Sequence, residues 1–132
     1  MSHHKNKGLA SIRLNKKIIE TVNAYTALLK GRYSKHIIKI ILFGSGARRT
    51  RTKESDIDLL IITTNKRQSF KDEISMSAFD IMLKNNIVLS PIVMDKETYD
   101  WYRKYRDPFY KNIMRDGVDI WTKKPGRLLK SA

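Results

Sequence analysis

The chain has 132 residues, 41 % of them hydrophobic, no cysteine, and a formal net charge of +14 from 27 Lys and Arg against 13 Asp and Glu. That length and apolar fraction suit one domain with a real core, and the lack of thiols excludes disulfide staples and thiolate metal sites. The longest apolar runs, around Ile40 and Leu60, fall short of the roughly 20 residues needed to cross a bilayer, so no membrane partner and a cytoplasmic location are expected. The charge favours polyanionic partners such as nucleic acid, nucleotides or acidic proteins, without selecting among them.

In chain order, residues 1–15 carry His3, His4, Lys5, Lys7 and Arg13 and read as a flexible basic arm. The two histidines are expected to be solvated rather than metal-bound. A domain over 16–121 follows, and 122–132 read as a basic tail. From Lys16 to Lys30, Ile18, Ile19, Val22, Tyr25, Leu28 and Leu29 recur at helical spacing, with Gly31 as a stop. After a basic connector ending at His36, itself read as a loop histidine, Ile37 to Phe43 is a β-branched run of strand length. Gly44-Ser45-Gly46 closes it. A second strand of the same character lies in Asp56-Ile57-Asp58-Leu59-Leu60-Ile61-Ile62, across a short polar and basic connection.

Arg67 to Lys84 predicts a second long helix with Phe70, Ile74, Ser77 or Ala78, and Ile81 inward. Asn85-Asn86 signals a turn. Ile87 to Met94 is extended, and Pro91, lacking an N–H, argues for an edge strand. Asp95 or Lys96 opens a helical stretch through Tyr99, Tyr102 and Tyr105. Asp107-Pro108 then resembles a cap followed by proline at the first helical position, with Phe109, Ile113 and Met114 facing inward before Gly117. Val118 to Trp121 adds a brief extended segment. This order of elements indicates an α+β or α/β layer fold. The aromatic cluster from Tyr99 to Tyr110, interleaved with Arg103, Lys104, Arg106 and Lys111, reads first as core or a protein interface. Stacking of nucleic-acid bases is the second reading.

The chemistry concentrates between residues 44 and 58. Strand residues two apart share a face, so Asp56 and Asp58 project together while Ile57 and Leu59 face the core. Carboxylates about 6 to 7 Å apart repel by about 2 to 3 kcal/mol at an effective dielectric of 20, which calls for a cation between them. Oxygen ligands suit Mg²⁺, which binds through one or two carboxylates plus substrate phosphates. Gly44-Ser45-Gly46 can offer consecutive backbone N–H groups and a hydroxyl to a phosphate, and Arg48, Arg49, Arg51 and Lys53 add positive charge.

The segment Gly44-Ser45-Gly46-Ala47-Arg48 through Ser55-Asp56-Ile57-Asp58-Leu59 resembles the signature of the minimal nucleotidyltransferases in the polymerase-β-like superfamily. Pro108 to Gly117 is similar to the carboxy-terminal stretch of that family. The resemblance implies an α+β fold with a small mixed sheet packed by helices on one side. It also implies triphosphate contacts from Gly44, Ser45 and Arg48, and Mg²⁺ (or Mn²⁺) on Asp56 and Asp58 as the catalytic carboxylates. The activity implied is transfer of an NMP from an NTP, with ATP the expected nucleotide, to a hydroxyl acceptor. Some relatives are antitoxins paired with HEPN-type proteins, so a HEPN-type partner or self-association is a further implication. Two positions depart from the pattern. Arg49 replaces a family glycine, and the strand Ile87 to Val93 has Ser90 but no third carboxylate, which makes a catalytically weakened, nucleotide-binding or partner-binding relative the alternative expectation. A basic RNA- or DNA-binding module without nucleotide chemistry is the third class.

Overall fold

A computed structural model describes residues 16–43 and 56–123. Helix α1 (Lys16–Tyr33) buries Ile18, Val22, Tyr25 and Leu29 along one stripe. It runs past Gly31, where a stop was expected. Tyr33 accounts for the extension: its ring meets Phe70 edge-on at 5.5 Å, and its hydroxyl donates to the Glu73 carboxylate at 2.9 Å. A single helical glycine costs about 1 kcal/mol relative to alanine, less than burying such a ring contributes. The chain turns through His36, whose ring packs edge-on against Phe70.

Strands β1 (Ile37–Phe43) and β2 (Ile57–Thr63) pair antiparallel, with Phe43 opposite Asp58 and Leu42 opposite Leu59. Helix α2 (Gln68–Asn85) then crosses to β3 (Leu89–Asp95), which pairs parallel with β2. The Asn-Asn turn signal is physical: Asn86 adopts φ 55° and ψ 42°, and its N–H donates to Met82 O, closing the helix in the left-handed conformation that asparagine tolerates. Asp95 caps helix α3 (Lys96–Lys104), its carboxylate accepting from the Thr98 N–H. Asp107 does the same for helix α4 (Pro108–Asp116) through the Phe109 N–H, with proline in the first turn. Gly117 follows so tightly that an added Cβ would lie 2.3 Å from Ile113 O. Strand β4 (Val118–Thr122) pairs antiparallel with β1.

The sheet order is β3-β2-β1-β4, mixed in direction, and Pro91 lies on edge strand β3 as its missing donor requires. Helices α1 and α2 cover one face, packing on Ile37, Ile40, Leu42, Ile57, Leu59 and Ile61. Tyr25 locks the two helices together, donating to Ile74 O at 2.8 Å, and burial pushes its hydroxyl pKa up to about 12. Where the sequence placed helices on one side, the structure adds a thinner layer on the other. There Ile113 of α4, with Tyr99, Tyr102 and Phe109 beside it, packs on Ile41, Phe43, Leu60 and Ile62. Burial on both faces explains why Leu59 to Ile62 is continuously apolar rather than alternating. The outer layer is incomplete: Met114, expected to face inward, is 62 % exposed, and Tyr105 lies beyond the end of α3 on the surface. Short helices lying over one sheet face bury only the stripe that touches it.

Candidate functional site

The paired aspartates lie at the entrance to β2. Asp56 is exposed just before the strand, and Asp58 is its half-buried second residue. Ile57 and Leu59 are fully buried in the α1–α2 core. Strand alternation therefore sends Asp58 to the opposite face, the one that also carries Leu60 and Ile62. The Ile57 N–H donates to Val88 O at 3.0 Å, extending the parallel pairing to this end of the strand and fixing the Asp56-Ile57-Asp58 backbone against the segment leading into β3.

Register identifies what flanks Asp58. Phe43 lies opposite on β1 and Ser90 opposite on β3. Leu89 packs in the α1–α2 core and Met94 in the other cluster, so Ser90 shares the Asp58 face. A hydroxyl thus stands where a third carboxylate would have to reach the same cation. Phe43 immediately precedes Gly44 in sequence; Gly44, Ser45 and Arg48, the expected triphosphate contacts, lie outside the described residues.

Asp80 and Asp95 are the acids nearest in sequence on either side of Ser90, and neither is placed to supply a third carboxylate. Asp80 is exposed on α2, an element of the far face. Asp95 sits at the other end of β3, five residues from Ser90, and is committed elsewhere. Its carboxylate accepts from Lys71 Nζ at 2.9 Å, from the Thr98 N–H at 3.0 Å and from Thr98 Oγ1 at 2.8 Å. Burial raises its pKa, but the Lys71 and Thr98 donors outweigh this and hold it down at about 2. The sequence showed Asp95 as a helix opener; its pairing with Lys71, 24 residues away, carries no local signal.

Among the described residues, no group of three or more His, Asp or Glu converges to hold a metal ion. The donor set at the β2 entrance instead fits a two-carboxylate site, which suits a cation that draws its remaining ligands from water and phosphate. A cavity of about 330 Å³ lies away from it, bordered by Thr64, Lys66, Asp95, Lys96, Glu97 and Asp100. Its charges satisfy one another, with Lys66 2.7 Å from Glu97 and Lys96 2.6 Å from Asp100, so its size does not outweigh the chemistry at Asp58. A smaller one of about 140 Å³ lies on the Asp58 face, between Lys39, Ile41, Tyr99, Ile113 and Asp119. No described helix is long and apolar enough to cross a membrane.

A small mixed sheet with helices behind it and an Asp-x-Asp pair entering a central strand defines a nucleotidyltransferase-type domain. The chain belongs to the family described as Polymerase beta, Nucleotidyltransferase, whose profile matches residues 16–125. A Methanocaldococcus jannaschii protein, provisionally named a protein adenylyltransferase, is 38 % identical over 102 residues, covering 77 % of this chain and 92 % of the relative. Among solved structures, a provisionally identified nucleotidyltransferase from Sulfolobus solfataricus superposes with a TM-score of 0.51 at 19 % identity, covering 86 % of this chain and 95 % of that one. A chain of the MntA-HpeT toxin–antitoxin complex gives 0.52 at 16 % identity, covering 81 % and 77 %. A chain of the complex between a tri-AMPylated Shewanella oneidensis HEPN toxin and an MNT antitoxin gives 0.50 at 15 % identity, covering 86 % and 78 %. At these identities the structural likenesses establish the fold alone.

Proposed function

We propose that this chain is a nucleotide-binding member of the nucleotidyltransferase family with a reduced metal site, acting as the antitoxin-type partner of a HEPN-type protein. The observation that carries this reading is Ser90 in register with Asp58 on the same sheet face, where a carboxylate would complete the metal site. The likeness in fold to chains of toxin–antitoxin complexes supports the choice of partner. In this reading Asp56 and Asp58 hold Mg²⁺ or Mn²⁺, while Gly44, Ser45 and Arg48 grip the triphosphate of ATP. The divalent cation, when bound, screens the phosphate charge and the pyrophosphate leaving group. Ser90 is a neutral hydroxyl at physiological pH and cannot take a proton from an attacking alcohol, so turnover is slow and binding dominates.

A second reading is favoured by the name of the M. jannaschii relative: transfer of AMP to a hydroxyl on the partner protein. The hydroxyl oxygen attacks the α-phosphorus, the bond to the bridging oxygen of the β-phosphate breaks, pyrophosphate leaves, and the hydroxyl proton passes to solvent. Both readings are tested by co-expression with a HEPN-type protein, followed by co-purification, mass spectrometry of the partner, and calorimetric titration with ATP and Mg²⁺ or Mn²⁺. A stable complex with metal-dependent nucleotide uptake and an unmodified partner supports the first. A partner heavier by one or more AMP units, with modification abolished by Asp58→Ala, supports the second. Absence of both complex and nucleotide uptake at millimolar concentrations overturns both.

A further inference from the structure

On the sheet face that carries Asp58, two adjoining sets of aromatic side chains differ in exposure. Phe43, Phe109 and Tyr102 form a packed row, with centroids 5.6 Å apart between Phe43 and Phe109 and 5.8 Å between Tyr102 and Phe109. Trp101 continues the row 5.3 Å from Tyr102 and meets Tyr105 at 5.0 Å, yet Trp101 is 54 % exposed and Tyr105 60 %. Core packing accounts for the first group. It does not account for two large adjoining rings left half in water.

Cations flank those rings along the chain, with Lys104 and Arg106 on either side of Tyr105. Lys104 Nζ stands 5.5 Å from the Tyr105 ring centroid. Arg103 is paired with Asp100 at 3.1 Å, whereas Lys104, Arg106 and Lys111 have no carboxylate partner among the described residues. Arg106 also closes α3 with φ at 50°, a conformation glycine would adopt without steric cost. An arginine there keeps a cation next to Tyr105 in the chain at the expense of backbone ease.

We propose that Trp101 and Tyr105, with Lys104 and the adjoining Arg106, form a stacking platform for a single-stranded polynucleotide. Ring faces stack on bases of any sequence, and the unpaired cations meet the phosphates between them. Charge decides against an apolar protein partner on this surface, which would have to desolvate these cations without replacing their hydration. The platform continues the aromatic row at its Tyr102 end, and the row's other end, Phe43, is the cross-strand neighbour of Asp58. Binding there requires neither metal nor NTP, and the proposal stands apart from the proposed function.

The test is fluorescence anisotropy of labelled oligouridylate and oligothymidylate with the full chain, over a range of salt and without NTP or divalent metal. Salt-sensitive binding of both is expected, since bases and phosphates are common to the two; tighter binding of the ribo-oligomer would identify RNA as the source. Trp101→Ala and Tyr105→Ala should each weaken binding by about tenfold. Lys104→Gln should reduce the slope against log salt by about one. Leu83→Ala, on exposed α2 surface of the far layer, should leave affinity unchanged. The proposal is overturned if the ring variants, folded by circular dichroism, bind as tightly as the parent, because net charge alone would then explain the attraction. It is equally overturned if neither oligomer binds and Trp101→Ala instead changes the sedimentation behaviour, which would make the surface a protein interface.

Discussion

Asp58 and Asp95 lie on adjacent parallel strands, near opposite ends of the pairing, and are employed in opposite ways. Asp95 is 5 % exposed and held by Lys71 and Thr98, three donors at 2.8 to 3.0 Å, which keep it ionised. Asp58 is half-buried beside a serine and follows an exposed second aspartate, an arrangement that concentrates negative charge at a sheet entrance. A buried carboxylate held by protein donors supports the fold, whereas two aspartates at a strand entrance, one exposed and one half-buried, are placed where a ligand can reach them. The two sites should therefore separate under substitution, one through ligand chemistry and the other through stability.

The largest effect is expected at the β2 entrance. Asp58→Ala should lower metal-dependent nucleotidyl transfer, however slow in the parent, by about a thousandfold, equivalent to about 4 kcal/mol in the barrier. Its thermal midpoint should fall less than that of a variant broken at the Asp95 pair, because Asp58 is only half-buried and Asp95 is buried. Pyrophosphate release and a parallel thermal melt check the two halves. A variant that loses activity only because it unfolds would erase the contrast with Asp95.

At the other end the loss should appear in stability. Lys71→Met keeps the aliphatic stem but leaves the Asp95 carboxylate with Thr98 alone, at a cost of about 3 kcal/mol in urea unfolding, as for other buried pairs broken on one side. The pH profile gives the same contrast a sign. Burial raises the Asp95 pKa, but the Lys71 and Thr98 donors more than offset it, taking the group from 3.8 to about 2. A depressed pKa means that this contribution, about 2 kcal/mol, is present in full above the unfolded value near 4 and lost as pH falls through about 2. In the parent, urea midpoints should fall across that window. Lys71→Met should flatten the same part of the curve, and identical slopes in the two proteins would show that the pair does not control acid stability.

The unequal legibility of the two ends has a physical basis. Asp56-Ile57-Asp58 is local: period-two alternation alone places Asp58 opposite Ile57 and Leu59, and the burial of those two residues agrees. The caps at Asp107 and Asp95 and the left-handed Asn86 are local too, and each was readable. Lys71–Asp95 and Tyr33–Glu73 join residues 24 and 40 positions apart, so no pattern along the chain reveals them. The same holds for α1 running past Gly31, a tertiary contact overriding local propensity. In α3 and α4, helical spacing identifies an apolar stripe without saying how much sheet remains to cover it; Met114 and Tyr105 are the surplus.

The smallest expected effect asks whether the Asp58 end can be made to complete its metal site. Ser90 lies directly across from Asp58, so Ser90→Asp sets two like charges on neighbouring strands and should destabilise the metal-free protein by about 1 kcal/mol. Oxygen ligands converging from two strands bind Mg²⁺ or Mn²⁺ better than one strand does, so the added cation should return that loss and more. The signature is a crossover: a midpoint below that of the parent in chelator and above it in millimolar Mn²⁺, accompanied by faster AMP transfer. The parent, with its two carboxylates on one strand end, should show a much smaller metal-induced rise. If Ser90→Asp is destabilised equally with and without metal, its carboxylate does not share a cation with Asp58, and the register of β2 on β3 does not shape the site.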